Sequence, residues 1–179
     1  MIVHNTELPG VQIIQPEVFL DSRGQFNQLF QSEEYSFIED NFGAFVQDNV
    51  SVSHKKVFRG FHQQAIHKQG KLVSCLSGKI LDFAIDLDPQ SPNFLKNVQV
   101  ELTGKSMTQL WIPPNYFHGF CSLDNNSVVH YKCTDFYYPG EEIGVNCLEE
   151  KLQIKWPYND LIISNKDQKL PLLDKFLAK

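Results

Sequence analysis

Two apolar runs joined by a tight turn make up residues 71–87, KLVSCLSGKILDFAIDL. The first run ends at Leu76 and the second begins at Ile80. Ser77-Gly78-Lys79 between them has the composition of a hairpin turn. Short apolar runs bounded by turn residues are typical of buried strands. The stretch therefore predicts a β-hairpin whose side chains lie in a protein core.

The same strand pattern continues on both sides of this stretch. Turn residues recur about every eight to twelve positions, and helical periodicity is confined to residues 32–41 and a last turn at 170–177. Residues 152–157 are interpreted as a short edge strand. The chain has no linker and no internal repeat, so residues 1–179 are predicted to form one domain. Many short strands and few helices predict an all-β sandwich or barrel, for which a jelly roll is the natural double-sheet form.

Charge and composition limit the classes of partner. The 179 residues are 42% hydrophobic, and the formal net charge is −5. We therefore expect no general binding of nucleic acid or of anionic membranes, although a local Arg/Lys cluster can still bind a small anion. No window approaches the apolar length of a membrane span, and the N-terminus lacks a signal-peptide pattern. The four cysteines form no C-x-x-C pair and are predicted to be free, buried thiols in a cytoplasmic protein.

Three residues near the hairpin carry groups suited to chemistry. Arg59 and His62 lie in residues 57–64, VFRGFHQQ, and Lys71 begins the first apolar run. An imidazole exchanges protons near neutral pH, a guanidinium can grip a phosphate, and a buried ammonium is usually functional. In a regular strand Arg59 and His62 point to opposite faces, but a strand that ends at Gly60 can turn both into one cavity. The alternative is a packed core histidine beside a surface arginine, and these residues alone do not decide.

Residues 45–53 place uncharged polar side chains on one face of a predicted strand, at alternate positions from Gln47 to Ser53. Such a row either faces solvent or lines a polar pocket, and the pattern leaves both open. Asp82 lies within an apolar strand, where an unpaired carboxylate is costly to bury. We therefore expect Asp82 to have a hydrogen-bonded partner.

Motifs spread over most of the chain, from about residue 10 to residue 172, resemble one enzyme family. The motifs are FLDSRG at 19–24, QDN at 47–49, RGFHQQ at 59–64, KLV at 71–73, WIP at 111–113, HGF at 118–120, YKCT at 131–134, WP at 156–157 and SNKD at 164–167. Their common order and spacing is far more specific than any one of them. The chain resembles the dTDP-4-dehydrorhamnose 3,5-epimerase family.

The resemblance implies a cupin-type jelly roll, a homodimer, a nucleotide-sugar substrate, and no metal or other cofactor. The family inverts C3 and C5 of a 4-keto-6-deoxyhexose carried on dTDP, a step towards L-rhamnose and related deoxysugars of surface polysaccharides. The implied catalytic residues are His62 as general base, Asp167 as its orienting carboxylate, Lys71 as the cation beside the enolate oxygen and Tyr131 as the opposed acid. The implied substrate-binding residues are Arg23, Gln28, Gln47, Asn49, Arg59, His118, Tyr137, Glu142 and Lys166, with the Tyr137 ring stacked on thymine.

The implied chemistry requires these residue types. A proton next to a ketone becomes acidic only when the developing enolate oxygen meets a positive group, which Lys71 can supply in a dry pocket. Inversion removes a proton from one face of the sugar and returns it on the other, so His62 and Tyr131 must face each other. The diphosphate suits Arg23 and Arg59, since a guanidinium binds phosphate oxygens in pairs.

The chain departs from the family pattern at several positions. Gln28 stands where a glutamate is common, and Phe61 and Gln63 replace a leucine and an aromatic residue around His62. Phe117 stands where a small residue is usual, and we expect its ring to lie beside the pocket and to change the pocket volume. These departures leave open the exact sugar, the exact nucleotide and whether one or both centres are inverted.

Three alternatives compete with the double epimerase. A metal-dependent cupin uses a His-x-His motif, but Gln64 occupies the second position after His62 and the chain has no His-x-His. A non-catalytic sugar-nucleotide-binding jelly roll has no need of a base, an orienting carboxylate and an opposed acid together. A 3,4-ketoisomerase is disfavoured because enzymes of that kind, related to the family that this chain resembles, lack the Lys/Tyr arrangement. A C3- or C5-mono-epimerase retains the arrangement, so the sequence does not exclude this alternative.

Overall fold

The structure is a computed structural model that describes residues 1–178, most of them in short strands and connecting turns. The strands are β1 (Ile2–Asn5), β2 (Gln12–Gln15), β3 (Val18–Asp21), β4 (Gly24–Asn27), β5 (Gln47–Ser53), β6 (Val57–Gln64), β7 (Lys71–Ser77), β8 (Lys79–Ile85), β9 (Asn97–Thr103), β10 (Gln109–Ile112), β11 (Phe117–Ser122), β12 (Ser127–Cys133), β13 (Glu142–Gly144) and β14 (Ile162–Ile163). The helices are α1 (Ser36–Phe42), α2 (Asn165–Gln168) and α3 (Leu173–Leu177), and a 3₁₀ turn spans Glu150–Leu152.

Two sheets, built from the described strands, pack against each other. The first has the order β1-β2-β10-β7-β12-β5, and the second has the order β13-β6-β11-β8-β9, with β14 parallel to β6. Strands β3 and β4 form a separate hairpin. This arrangement confirms the prediction of an all-β double-sheet fold with a few short helices.

The hairpin predicted at residues 71–87 is wrong in its pairing, although both strands are present. β7 pairs with β10 and β12, whereas β8 pairs with β9 and β11. The turn at Gly78 therefore carries the chain from one sheet to the other. Gly78 has a φ of +76°, and a Cβ at this position would lie 2.8 Å from Ser127 Oγ, so the corner has little room for a side chain. Composition identifies a tight turn, but not whether its strands share a sheet.

Two apolar clusters stabilise the second sheet, one on each face. Between the sheets, Val73 and Leu110 of the first sheet pack with Ala84 and Leu102 of the second, all fully buried. The opposite face of the second sheet carries the aromatic residues Phe58, Phe61 and Phe83, which pack against Trp156 from the C-terminal segment. Burial of each such aromatic side chain contributes about 1.5–3 kcal/mol, before the cost of ordering the chain.

The remaining elements correct the sequence predictions in two places. Helix α1 begins at Ser36 instead of residue 32, because Glu34 and Tyr35 donate their N–H groups back to Gln31 in a preceding turn. The edge strand predicted at 152–157 is wrong, since this segment is irregular and its Trp156 ring covers the aromatic cluster. The short helix at the C-terminal end is confirmed as α3. All four cysteines are free and buried, as predicted.

Candidate active site

A cavity of about 640 Å³ opens between the two sheets. The predicted site residues that line it are Gln47, Asn49, Arg59, His62, Lys71, His118, Tyr131, Tyr137, Glu142, Lys166 and Asp167. They come from β5, β7 and β12 of the first sheet, from β6, β11 and β13 of the second, from the loop between β12 and β13, and from α2. The polar row on β5 therefore lines a pocket, while Val50 and Val52 on the opposite face of that strand are exposed.

An irregularity in β6 directs Arg59 and His62 into the same cavity. His62 lies opposite His118 and Arg59 lies opposite Phe120, so β6 has one residue more than β11 over this interval. An extra residue in one strand resets the alternation of side chains. Gly60 occupies the bulge with a φ of +133°, and a Cβ there would lie 2.5 Å from Gly119 Cα. The strand does not end at Gly60, as the sequence suggested, but continues to Gln64.

His62 is bound to a carboxylate that remains charged. Its Nε2 lies 2.7 Å from Asp167 Oδ1, and a proton on Nε2 leaves Nδ1 as the basic nitrogen. Burial raises the pKa of Asp167, but the hydrogen bond and charge of His62 outweigh burial and hold that pKa below its usual value. Asp167 is positioned by α2, whose N-terminal Ser164 accepts a hydrogen bond from the Asp167 N–H.

A second carboxylate lies near the same imidazole. Glu142 Oε1 is 3.7 Å from His62 Nε2 and 2.5 Å from Lys166 Nζ. The hydrogen bond to Glu142 raises the pKa of Lys166, so this ammonium stays charged at the mouth of the cavity. Glu142 therefore lies between His62 and a cation that can meet an anionic ligand.

His118 forms a second histidine–carboxylate pair in the cavity wall. Its Nε2 lies 2.8 Å from Asp82 Oδ1, which supplies the partner expected for Asp82. Burial raises the pKa of Asp82 and lowers the pKa of His118. Among the described residues, Asp82 Oδ2 has no hydrogen-bond partner. The sequence indicates only that an unpaired Asp82 carboxylate would be costly to bury. No spacing rule pairs it with a histidine 36 residues away.

Lys71 and Tyr131 are contributed by adjacent strands of the first sheet, β7 and β12. Burial lowers the pKa of Lys71, while Cys133, Glu142 and Asp82 oppose that shift. Burial also raises the pKa of Tyr131, which keeps the phenol protonated. His62 and Tyr131 thus line one cavity from opposite sheets, and Lys71 adds a positive group to its wall.

The arginine in the cavity is fixed by main-chain and hydroxyl acceptors. Arg59 Nε donates to Ser53 Oγ at 3.0 Å, and one terminal nitrogen lies 3.5 Å from Val52 O. Nearby, Gln47 Nε2 donates to Asn49 Oδ1 at 3.0 Å. These contacts orient a guanidinium and two amides along the β5 side of the cavity.

Two predicted substrate-binding residues lie outside this cavity. Arg23 sits at the tip of the exposed β3–β4 hairpin and pairs with Asp21, while Gln28 follows the hairpin and donates to Gln31. The hairpin is a separate two-stranded unit, so the chain's own fold does not carry these side chains into the cavity lining.

The expectation that Phe117 lies beside the pocket is wrong. Phe117 and Gln63 line a different cavity on the other side of the second sheet. Phe117 packs against Phe176, with ring centroids 5.5 Å apart. Neighbours in a strand point to opposite faces, so the residue before His118 faces away from the candidate site.

Several lining residues were not predicted. They are Ser51, Val57, Phe58, Gln69, Phe120, Ile162, Ile163 and Ser164. Only the folded chain brings them to the cavity, since β14 adds to β6 in parallel after a separation of about a hundred residues. Within residues 1–178, no three His, Cys, Asp or Glu side chains are grouped as a metal ion would require, and no helix is long and apolar enough to cross a membrane.

Comparisons with known proteins agree with this geometry. The model of the dTDP-4-dehydrorhamnose 3,5-epimerase family matches residues 5–175. The chain belongs to this family. A family member from Salmonella typhimurium is 40% identical over 179 residues, covering 99% of this chain and 98% of that protein. The predictions of family and of an isomerase-class enzyme are confirmed.

Solved structures of the family share the fold. A 3,5-epimerase from Legionella pneumophila, determined in complex with dTDP-4-keto-L-rhamnose, has a TM-score of 0.90 and 40% identity, covering 97% of this chain and 93% of that one. A 3'-monoepimerase from Streptomyces bikiniensis has a TM-score of 0.88 and 29% identity, covering 96% and 87%. The cupin-type jelly roll implied by the resemblance is confirmed.

Proposed function

We propose that this enzyme inverts C3 and C5 of dTDP-4-keto-6-deoxy-D-glucose and so forms dTDP-4-keto-L-rhamnose. The observation that supports this best is the opposition of His62 and Tyr131 across one cavity, with Lys71 in its wall. Inversion next to a ketone requires a base on one face of the sugar, an acid on the other and a positive charge at the ketone oxygen. Two similar members of the family carry the same named activity.

The proposed reaction proceeds through two enolates. His62 Nδ1 takes the proton from C3, the C–H electron pair forms the C3–C4 double bond, and the C4 carbonyl oxygen becomes an oxyanion beside Lys71. Tyr131 then gives its proton to C3 from the opposite face, and the carbonyl re-forms. His62 then releases its proton to solvent and Tyr131 regains one from solvent, and the same sequence at C5 completes the change. Asp167 holds the proton on Nε2 and stabilises the imidazolium, as carboxylates do in other His–carboxylate pairs. No electrons enter or leave, so the chemistry calls for no redox cofactor.

The remaining predicted residues are proposed to bind the substrate. Arg59, anchored by Ser53, and Lys166 supply positive charge for the diphosphate. Tyr137, whose ring is half exposed at the cavity, is proposed to stack on the thymine. We assign the sugar and its linkage to the polar side chains of Gln47, Asn49, His118 and Glu142.

A homodimer is proposed to complete the site with Arg23 and Gln28. These residues are proposed to bind substrate but lie on an exposed hairpin outside the chain's own cavity. That hairpin also exposes Phe19, Leu20 and Phe26, a set of apolar side chains that a second copy can cover. We propose that each hairpin reaches the cavity of the other copy. The enzyme is further proposed to work in the cytoplasm, in the biosynthesis of L-rhamnose or a related deoxysugar.

Solvent deuterium incorporation tests the proposed reaction. The enzyme is incubated with dTDP-4-keto-6-deoxy-D-glucose in deuterated water, and the sugar protons are followed by NMR. Deuterium at both C3 and C5, with the L-configured ketosugar trapped by a reductase, is the expected result. Migration of the ketone, or no exchange at either carbon, would contradict the proposal.

A C3-mono-epimerase is the second candidate. It is favoured by the structural similarity to the 3'-monoepimerase from Streptomyces bikiniensis, which has a TM-score of 0.88. The same NMR experiment separates the two, since a mono-epimerase releases a product with deuterium at C3 and the original configuration at C5.

A further inference from the structure

The loop that carries Tyr137 is held by side-chain amides. The N–H of Tyr137 donates to Gln47 Oε1 at 2.8 Å, and the N–H of Tyr138 donates to Gln64 Oε1 at 2.7 Å. Gln69 Nε2 donates to Asp135 O at the start of the loop. A loop that is bonded to side chains takes its shape from those side chains, because an N–H group without its acceptor must find water or move.

Gln64 makes the most of these contacts. Besides accepting from Tyr138, its Nε2 donates to Phe136 O at 3.0 Å and to His67 O at 2.5 Å. It therefore binds the carbonyl before Tyr137 and the N–H after it, as a peptide group of a neighbouring strand would. Gln64 is 4% exposed, so water does not readily replace these bonds.

The two tyrosines of this loop have different surroundings. Tyr138 stacks on the His67 ring, with centroids 4.0 Å apart, and His67 Nδ1 lies 2.7 Å from Glu141 Oε1. Tyr137 is 47% exposed and lines the cavity. The ring of Tyr138 is thus fixed by its own contacts, whereas the position of the Tyr137 ring depends on the main chain on either side, which Gln64 holds.

We propose that Gln64 is a positioning residue that sets the Tyr137 ring for stacking on the nucleobase. The inference rests on the proposed function, because it takes the nucleotide end of the substrate to lie at Tyr137. Gln64 follows His62 by two residues on β6, so one strand would place both the general base and, through the loop, the nucleobase platform. A fixed distance between these two points selects a base, diphosphate and sugar of matching length.

A double-mutant cycle with dTDP as the probe tests the inference. Gln64→Met keeps an unbranched side chain of similar length without its hydrogen bonds, and we expect it to weaken dTDP binding about tenfold by calorimetry. KM for the dTDP-sugar should rise similarly, while kcat changes less than about threefold, because His62 and Tyr131 are untouched. In a Tyr137→Ala background, the same Gln64→Met change should alter dTDP affinity by less than about twofold.

Gln63→Met is the matched control. Gln63 is the adjacent buried glutamine of β6, but it faces the other cavity and donates to Pro114 O. The Gln63→Met variant should bind dTDP with an affinity within about twofold of that of the wild type. Gln64→Glu serves if Gln64→Met does not fold: it keeps an acceptor for Tyr138 and loses both donors, so it should also weaken binding through Tyr137.

The outcomes separate this inference from the proposed function. Equal loss of affinity on Gln64→Met with and without Tyr137, or loss on Gln63→Met as large as on Gln64→Met, would overturn the inference while wild-type epimerisation stands. A wild-type enzyme that neither binds dTDP nor exchanges deuterium would overturn both.

Discussion

Two histidine–carboxylate pairs lie side by side in the cavity, and their geometry is nearly the same. His62 and His118 are opposite each other on β6 and β11, and their Nε2 atoms lie 2.7 Å and 2.8 Å from Asp167 and Asp82. The His62 side chain is 23% exposed and that of His118 is 8% exposed. The two pairs therefore differ in their exposure to the cavity, although their hydrogen-bond distances are alike.

The pKa values of the two carboxyl groups shift in opposite directions for a physical reason. Asp167 comes from α2 at the edge of the site, and its bond with His62 holds its pKa below the usual value despite burial. Asp82 lies on the interior strand β8, where complete burial raises its pKa. An ionised carboxylate stabilises an imidazolium, whereas a carboxyl that resists ionisation does so less well. The comparison supports the proposal that His62 is the base and that His118 binds or orients the substrate.

Removal of the base should have the largest effect. We expect His62→Asn to lower kcat by at least about 10³-fold and Asp167→Asn by about 10²-fold or more, because general base catalysis and its orientation are lost. Turnover by NMR measures both. The paired changes His118→Asn and Asp82→Asn should each cost only about tenfold.

Equal losses of kcat in the variants of the two pairs would contradict the different roles proposed for them. Circular dichroism and thermal unfolding of all four variants control for folding, since a misfolded Asp82→Asn protein would imitate a catalytic loss. Deuterium exchange without turnover in His62→Asn would show that another group removes the proton.

The next largest effect concerns the charge beside the enolate. Lys71→Met should lower kcat/KM by about 10²–10³-fold, because the developing oxyanion loses its positive partner. Burial lowers the pKa of Lys71, so the wild-type ammonium loses its proton below the ordinary value, and kcat/KM should fall as the pH rises through that lowered pKa. The raised pKa of Tyr131 means that the phenol does not account for this alkaline fall.

Lys71→Arg is the control for the pH profile. A guanidinium stays charged to a much higher pH, so the alkaline fall should move upward whatever the absolute rate. An unchanged alkaline fall in Lys71→Arg would exclude Lys71 as the group that titrates.

A smaller effect is expected at Tyr131, on the sheet opposite His62. Tyr131→Phe removes the proposed acid but leaves His62–Asp167 intact, so net inversion should slow by about 10²-fold while deuterium exchange slows by about tenfold or less. NMR follows both quantities in one sample. Equal losses in exchange and inversion would count against Tyr131 as the opposed acid.

Local sequence patterns predicted the fold class better than its connections. Apolar runs and turn residues identify most strands because burial and turn geometry act over a few residues. They did not show that β7 and β8 join different sheets, since sheet membership depends on partners such as β10 and β12, far away in the chain. The segment at 152–157 was misread for the same reason, because Trp156 packs on a distant aromatic cluster.

The site was predicted through the resemblance rather than through spacing. Asp167 is 105 residues from His62, and only the folded chain brings them to 2.7 Å. The bulge at Gly60, which aligns Arg59 with His62, needs knowledge of the register with β11. The direction of Phe117 follows from strand alternation once His118 is known to face the cavity.

The smallest expected effect is on stability, where the two carboxylates should have opposite pH dependence. Asp167 has a lowered folded-state pKa, so its stabilisation is present above the unfolded value of about 3.9 and is lost as the pH falls. Asp167→Asn should therefore lower Tm at pH 7 more than at pH 3. Asp82 has a raised folded-state pKa, so its favourable contribution to stability is lost as the pH rises. The Tm of Asp82→Asn relative to the wild type should therefore be higher at pH 7 than at pH 3.

Thermal unfolding of the two variants and the wild type between pH 3 and pH 7 measures this difference directly. His118 and Lys71 both favour the ionised form of Asp82, so the test asks whether burial outweighs two positive neighbours. A Tm difference that changes with pH in the same direction for both variants would mean that Asp82 is ionised in the folded protein. His118 would then be as well placed as His62 to become a stabilised imidazolium, and exposure to the cavity would be all that distinguishes the base from its neighbour.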